Sequence, residues 1–414
     1  MAAVGAGSRS SPAIEQWLWV AIAAVMAALS APAGPMTLAI AVGAALAIAL
    51  IDPRLPDIRP TAAAICGVAA GPLFFLLRTN WLNGDGSMFA PKFERDVPLV
   101  GAHLSHDELL ELFLHSRVWY YTHRWWGWSV VYSYQVVSCV AGCIFLYVLV
   151  RAARRLAPER TWLFLGGVLS GGYMQLFFGD VENYTITAVL VLVYVVAACR
   201  FLAGERPLWV PALALAIAMC FHLEAAWLLP SAVYLGVVSR SRTGDARDAW
   251  RSLALGASVV AAVFVFFQFY GLPLIRFFSS YAGQALRMKD VFAIGMPRSY
   301  YIDELTVLLR LCPGIALLLP ALVGSRWRID ETTRFLALAA ASMLLIQIVW
   351  KSQLGVFEDW NLYAAGGLLT AIVVWRYASA AAATPVMRIA AAVVVAVGSL
   401  RTYAWIVANH FYSR

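Results

Sequence analysis

Charged residues are scarce in this chain. Only 13% of its 414 residues are charged, whereas 62% are hydrophobic. A water-soluble fold cannot bury so much apolar surface in one core, so the composition excludes a soluble protein and predicts a polytopic membrane protein. The chain also lacks the short alternating segments of an outer-membrane barrel, and we therefore expect each span to be an α-helix of about 20 residues.

Lysine and cysteine are also rare. The chain has six cysteines, all in or beside apolar runs and none in a CxxC motif, so we expect packing residues and not disulfides or zinc ligands. The formal net charge is +8, and most of the excess comes from arginines in short loops. That pattern favours contact with anionic membrane lipids, and we see no sign of a nucleic-acid partner.

The apolar runs predict an all-α bundle of about thirteen membrane spans. They lie at 17–31, 36–51, 61–77, 128–150, 162–178, 184–202, 208–221, 224–238, 252–270, 304–323, 335–350, 361–375 and 388–408. We divide the chain into an N-terminal hairpin, a membrane module and a C-terminal group of helices: 1–60, 61–240 and 241–414. The two spans that flank His222 are short, so a single kinked helix is the alternative there.

The arginine-rich loops fall on alternate sides and predict a cytoplasmic N-terminus. The frequent arginine and alanine further suggest a bacterial inner membrane. Two long loops, 78–127 and 271–303, then face outward. In the first loop, Ser105 and Glu108 have capping-box spacing before an amphipathic stretch, which predicts a helix lying on the outer membrane surface.

Two short acidic turns follow directly after apolar spans. Asp85 lies between two glycines, where it is either an ordinary turn residue or an accessible general base. Asp180 and Glu182 are two residues apart, so an extended loop would point both carboxylates to one side. They are either oxygen ligands for Mg or Mn, or acids that stabilise the start of the next helix.

Further candidates lie in other outer segments. His222 and Glu224 occupy the tip of a tight hairpin, as a structural hydrogen-bonding pair or as site residues. Basic side chains in the later outer loops either contact lipid headgroups or hold a lipid phosphate by charge-assisted hydrogen bonds. These are Arg287, Lys289, Arg298 and Lys351.

An acidic turn in a long first outer loop, a surface helix and a second acidic turn after the next hairpin together resemble the GT-C superfamily, best over residues 61–240. These integral-membrane glycosyltransferases take sugars from polyprenyl-phosphate donors. The resemblance assigns the first-loop acid of the family to Asp85 and its second-loop acid to Asp180 or Glu182. Here two extra spans precede the acidic loop, and Gly-Asp-Gly replaces the paired acids of many members.

The resemblance implies an inverting transfer of a sugar from a polyprenyl-phosphate donor to a lipid, glycan or protein acceptor at the outer membrane face. Asp85 would take the proton of the acceptor hydroxyl, and Arg287, Lys289 or a metal on the second turn would stabilise the leaving phosphate. One alternative is a transporter or flippase of a lipid-linked or small polar substrate, which would place its ionisable groups near the bilayer midplane. A noncatalytic subunit with the same fold is another.

Overall fold

The computed structural model describes residues 12–29, 43, 59–82, 84, 86–87, 90–91, 107–269, 292–293, 295–323, 329–352 and 354–412. Within these ranges the regular elements are helices, apart from one isolated antiparallel bridge between Phe292 and Trp350. The prediction of an all-α membrane bundle is confirmed.

The helices are α1 (Pro12–Leu29), α2 (Pro60–Leu76), α3 (Leu109–Trp126), α4 (Val130–Leu156), α5 (Thr161–Leu169), α6 (Thr185–Leu202), α7 (Trp209–Phe221), α8 (Leu229–Thr243), α9 (Arg247–Phe269), α10 (Arg298–Leu311), α11 (Leu318–Val323), α12 (Glu331–Val349), α13 (Ala364–Ala381) and α14 (Pro385–His410). By length and composition, six helical segments within the described residues can cross a membrane: α4, α6, α9, α12, α14, and α13 together with the turn before it. Shorter apolar helices coincide with three further predicted spans, at Gln16–Met26, Pro60–Leu76 and Trp209–Phe221. The predicted span 36–51 lies outside the described residues except for Gly43.

Two predicted spans are broken helices. The run 162–178 forms α5 and then a 3-10 helix at Gly172–Phe177, while 304–323 forms α10, a 3-10 turn at Ile315–Leu317 and α11. The two breaks pack against each other. A Cβ atom on Gly171 would lie 2.7 Å from the Leu311 carbonyl oxygen, and one on Gly172 would lie 2.7 Å from that of Arg310. Glycine therefore permits the close approach of the two interrupted backbones.

Helices α7 and α8 form a hairpin, as predicted, and not one kinked helix. Arg242 near the end of α8 donates a hydrogen bond to the carbonyl oxygen of Leu202, the last residue of α6, at 2.7 Å. At the other end of the hairpin, His222 lies beside Tyr184, which precedes α6, with ring centroids 4.8 Å apart. The bundle consequently has an acidic end, which holds residues 84, 86, 107–108, 179–184 and 222–224, and an opposite basic end.

Helix α1 packs against α14, and its Trp19 ring lies 6.2 Å from the Tyr377 ring of α13. The N-terminal helix thus contacts the last helices of the chain. The division into segments 1–60, 61–240 and 241–414 stays a prediction.

The predicted helix of the first loop is confirmed as α3. Its apolar inner face contains the buried Leu109, Leu112 and Trp119, whereas Trp125 and Trp126 near its end are 65% and 63% exposed. The capping-box prediction is wrong, because the helix begins only after Glu108, which occupies the N-cap position without forming a side-chain cap. Ser105 lies outside the described residues.

Candidate functional site

The two acidic turns meet at the acidic end. The Gly86 N–H donates a hydrogen bond to Glu182 Oε1 at 3.1 Å. Gly84 has φ +55°, and a Cβ atom on it would collide with the Glu182 carboxylate. A Cβ atom on Gly86 would collide with the Val181 carbonyl oxygen. Both positions therefore require glycine, whereas Asp85 between them lies outside the described residues.

Asp180 and Glu182 are buried, at 3% and 2% exposure. The prediction that they stabilise the start of the next helix is wrong, because α6 has Tyr184 at its N-cap, no side-chain cap and no acid in its first turn. Burial raises the pKa of Asp180 to about 8, against a weaker opposing effect of the Val181 backbone N–H. Asp180 is therefore largely protonated at neutral pH.

A polar cluster beside the second turn joins four parts of the chain. Glu108, before α3, accepts a hydrogen bond from Asn183 Nδ2 at 2.9 Å, and its other carboxylate oxygen lies 3.3 Å from His222 Nε2. Tyr134 of α4 donates to Asn183 Oδ1 at 3.3 Å. Because all four side chains are buried, these bonds replace the water that the polar groups lose. The cluster fixes the start of α3 to the second acidic turn and to the connection between α7 and α8.

His222 and Glu224, both predicted as candidates, lie in this cluster. The Glu224 backbone N–H donates to His222 Nδ1 at 3.1 Å, so in the neutral imidazole the proton lies on Nε2, which faces Glu108. Burial lowers the pKa of His222, but the hydrogen bond and charge of Glu108 outweigh it and raise the pKa to about 9. Burial also raises the pKa of Glu224 to about 7, with His222 opposing the shift.

Glu111 and His115 extend the cluster along the inner face of α3. Both are fully buried, and His115 Nε2 lies 3.4 Å from Glu111 Oε1. Burial raises the pKa of Glu111 well above its usual value and lowers that of His115 to about 3, so burial favours the uncharged form of each side chain. The His115 ring stacks on Tyr134 at 3.7 Å. The sequence analysis did not select Glu108, Glu111 or His115, although their three- and four-residue spacing places them on one helix face.

The structure describes two of the four predicted cations, Arg298 and Lys351. Arg298 is exposed as the first residue of α10, Lys351 is half-buried after α12, and Arg287 and Lys289 lie outside the described residues. The sequence analysis missed Arg310, a cation within the broken helix. Its guanidinium carbon lies 4.9 Å from the Trp405 ring centroid and 5.9 Å from that of Phe357. Arg401 of α14 is close enough to repel it.

A divalent metal has little support from the described residues. None of them form a group of three histidine, cysteine, aspartate or glutamate side chains that could hold an ion. Asp180, whose pKa is raised, would have to release a proton to bind an ion, because carboxylates bind metals in their ionised form. The assignment of Mg or Mn to Asp180 and Glu182 stays a prediction, and we derive no catalytic step from it.

No model of a protein family matches the chain, and a search of curated proteins finds no match either. Among solved structures, the apo crystal structure of ArnT from Cupriavidus metallidurans is similar, with a TM-score of 0.52. The match covers 84% of this chain and 77% of ArnT at 14% sequence identity, so the likeness concerns the fold. This likeness agrees with the helical membrane fold that the resemblance inferred from the sequence implies.

Proposed function

We propose that this chain is a membrane glycosyltransferase that moves a sugar from a polyprenyl-phosphate donor to an acceptor hydroxyl, with inversion at the anomeric carbon. The main support is the packing of Gly84 and Gly86 against the second acidic turn, in a chain with the fold of ArnT. A hydrophobic donor also accounts for an enzyme embedded in the bilayer, because such a substrate arrives laterally through the membrane.

Asp85 is the proposed general base. In the sequence it lies between Gly84 and Gly86, and Glu182 of the second turn accepts a hydrogen bond from the Gly86 backbone N–H. In the reaction, the acceptor oxygen attacks the anomeric carbon while its proton moves to the Asp85 carboxylate. The bond between the anomeric carbon and the phosphate oxygen breaks, and the polyprenyl phosphate leaves with that electron pair.

The second turn and the polar cluster have a positioning role in this proposal. Glu182 accepts a hydrogen bond from the Gly86 backbone N–H and so orients the loop that carries Asp85. Glu108 connects Asn183, next to Glu182, with His222 and the start of α3. Asp180, with its raised pKa, provides a second proton-carrying group near the site.

Cations must stabilise the negative charge that develops on the leaving phosphate. Arg287, Lys289 and Arg298 remain candidates for this role, with Lys351 as a further one. Arg310 is an addition from the structure, because its guanidinium lies over an aromatic surface and faces repulsion from Arg401 that an anion would relieve.

An interfacial enzyme agrees better with the cluster than a transporter does. Transporters generally place ionisable groups and broken helices near the bilayer midplane. Glu108, Asn183 and His222 instead lie at helix termini, at one end of the bundle. The positive-inside pattern supports an outward position for this end, in the inner membrane of a bacterium.

The experiment measures sugar transfer from a labelled polyprenyl-phosphate donor in membranes that contain the native chain, Asp85→Asn or Asp245→Asn at matched abundance. Asp245 is an exposed acid at the basic end and serves as the control. Loss of a general base is expected to slow transfer by about 100-fold or more. Native-like transfer by Asp85→Asn would exclude Asp85 as the base, and equal loss in both variants would show that the effect is not specific to this site.

A further inference from the structure

An apolar pocket lies between α7, α8 and α9, near the basic end. Its volume is about 210 Å³, and Leu235, Val237 and Leu253 form part of its wall. Val237 and Leu253 are exposed on the outside of the bundle, and α9 is a candidate membrane span, so the pocket opens towards lipid. Among the described lining residues, hydroxyl groups or charges belong only to Tyr194, Arg240 and Ser252.

The hydroxyl group of Ser252 is buried in this pocket without a partner. The residue is 2% exposed, and its Oγ atom forms no hydrogen bond with any described residue. A serine within a helix often donates to a carbonyl oxygen of the preceding turn, as Ser258 of α9 does to Leu255 at 2.8 Å. The other hydroxyl of the lining, that of Tyr194, is bonded to Ser231 at 2.7 Å. A ligand with an oxygen acceptor beside Ser252 would therefore compensate for the lost hydration of its hydroxyl.

Arg240, near the end of α8, brings a positive charge to the lining. The part of the chain that the structure describes offers it no hydrogen bond or ion pair. The two acids that follow it in sequence have other partners. Asp245 lies 3.9 Å from Arg247, and Asp248 accepts a hydrogen bond from Ser239 at 3.1 Å. The Arg240 guanidinium is thus available to an anion, and phosphate oxygens match its planar, two-bond geometry.

Arg240 and Ser252 point towards each other along the α8–α9 hairpin. The two antiparallel helices are level at Gly236 and Ala249, because a Cβ atom on Gly236 would lie 3.8 Å from the Ala249 Cβ atom. At a rise of 1.5 Å per residue, Arg240 and Ser252 are then about 10 Å apart along the helix axes, with Arg240 closer to the basic end. Side chains tilt towards the start of their own helix, so in this antiparallel pair the two side chains converge.

A ligand that matches this lining has an anionic head, then an uncharged oxygen acceptor and then a hydrocarbon chain. A diacyl phospholipid has these groups in this order, because its ester carbonyl lies between the phosphate and the acyl chain. A fatty acid has oxygen atoms only in its head, so it would leave either Arg240 or Ser252 without a partner.

We propose that the apolar pocket binds an anionic diacyl phospholipid, with its phosphate at Arg240, an ester carbonyl at Ser252 and one acyl chain against Val233 and Leu253. Both of these apolar side chains line the pocket and are exposed towards lipid. The site is independent of the proposed glycosyl transfer, because it lies towards the opposite end of the bundle.

The test uses the full chain, purified in a nonionic maltoside detergent that contains neither phosphate nor ester. Native mass spectrometry measures the binding of phosphatidylglycerol, its diether analogue, diacylglycerol and glycerol 3-phosphate. We expect phosphatidylglycerol to bind most tightly. Equal binding of diacylglycerol would overturn the phosphate contact, and equal binding of the diether lipid would overturn the ester contact. Equal binding of glycerol 3-phosphate would overturn the acyl chain in the pocket.

Ser252→Ala tests the ester contact. The variant removes a hydroxyl that has no partner among the described residues, so the protein should fold as the native chain does. It is expected to bind phosphatidylglycerol about fivefold more weakly and the diether analogue unchanged. The matched control is Ser258→Ala, an exposed position of the same helix, which should bind both lipids as the native chain does. Equal weakening of both lipids by Ser252→Ala would contradict the proposal.

Arg240→Gln tests the phosphate contact. It is expected to weaken phosphatidylglycerol binding by about fivefold and to leave diacylglycerol binding unchanged. The control, Arg251→Gln, removes the same charge from an exposed position of α9 that does not line the pocket, and native binding is expected. Equal weakening by both variants would show that the net charge of the basic end, and not this pocket, holds the lipid.

Discussion

Asp180 illustrates how burial controls the charge of a single carboxyl group. The side chain is 3% exposed, and its Oδ2 atom has no hydrogen-bond partner among the described residues. An ionised carboxylate in such a place loses its hydration, and the Val181 backbone N–H compensates for only part of that loss, so the protonated form is favoured. The raised pKa thus follows from the position of the residue in the fold.

This shift predicts a pH dependence of stability. The pKa of Asp180 rises from 3.8 to about 8 in the native state, so its stabilising contribution is complete below pH 3.8 and is lost as the pH rises through 8. Asp180→Asn cannot lose a proton, and its melting temperature should fall less than that of the native chain between pH 5 and 9. Thermal unfolding of both proteins in one detergent measures the difference.

The control for that measurement is Asp245→Asn, which changes an exposed acid. It should follow the native pH profile. If Asp180→Asn also follows the native profile, Asp180 is ionised in the folded protein over this whole range.

The sequence indicated which residues belong to the acidic end but not their burial. Asp180, Glu182, His222 and Glu224 were all selected from their positions beside apolar spans. The contact of Glu108 with His222 could not be predicted, because it depends on how α3 lies against the α7–α8 hairpin. Such tertiary packing leaves no periodic signal in the sequence.

At the scale of elements, α3 combines a predictable pattern with an unexpected inner face. Its apolar spacing predicted a surface helix, and Leu109, Leu112 and Trp119 are buried as that pattern requires. The same face also buries Glu111 and His115. A charged residue on an amphipathic helix is normally expected on the side that faces water. It is buried only where a partner group lies within interaction distance.

The pair of Glu108 and His222 is predicted to hold the start of α3 in place. Glu108→Ala and His222→Ala should each increase hydrogen exchange in residues 109–126, since each leaves a buried partner unpaired. The double variant should lose less free energy of local unfolding than the two single variants lose together. The difference, which is the coupling energy, should be about 0.5 to 3 kcal/mol. Hydrogen exchange of the four proteins in nanodiscs provides the cycle.

Glu159→Ala is the matched control, because Glu159 is an exposed acid in the loop between α4 and α5. Its exchange in α3 should equal that of the native chain. Strict additivity of the Glu108 and His222 effects would show that the two side chains act independently.

The broken helices mark the limit of hydropathy as a guide to elements. Residues 162–178 form one apolar run, yet the α-helix ends at Leu169. Hydropathy detects which residues prefer lipid, whereas the break depends on the backbone of Gly171 and Gly172 lying against α10. The adjacent glycines, Gly171 and Gly172, were the one local sequence signal that the two backbones approach each other closely.

At the scale of the whole molecule, the two ends differ in chemistry. The basic end has ion pairs such as Arg376 with Asp330 at 2.8 Å, and a cavity lined by arginines. The acidic end has buried carboxyl groups and histidines, together with the contacts of Gly84 and Gly86 with the second acidic turn. This polarity predicts the orientation of the protein, because arginine-rich ends remain in the cytoplasm.

Reporter fusions test that orientation. Alkaline phosphatase, which is active only outside the cytoplasm, should be active when fused after Tyr412 at the acidic end. Fusion after Thr243, at the end of α8, should give an inactive reporter. A fluorescent protein that matures only in the cytoplasm should give the reciprocal result at both positions, and the opposite pattern would reverse the orientation.

The contact between the first loop and the last helix affects biosynthesis. His410 Nδ1 lies 2.8 Å from the Arg78 carbonyl oxygen, with 332 residues of sequence separation. Asn80 bonds to the Asn409 and His410 backbone as well. The ribosome must therefore synthesise the chain as far as His410 before the segment after α2 can reach these partners. A nascent or truncated protein that ends before α14 lacks this contact and presents an unfinished first loop to the membrane insertion and quality-control machinery.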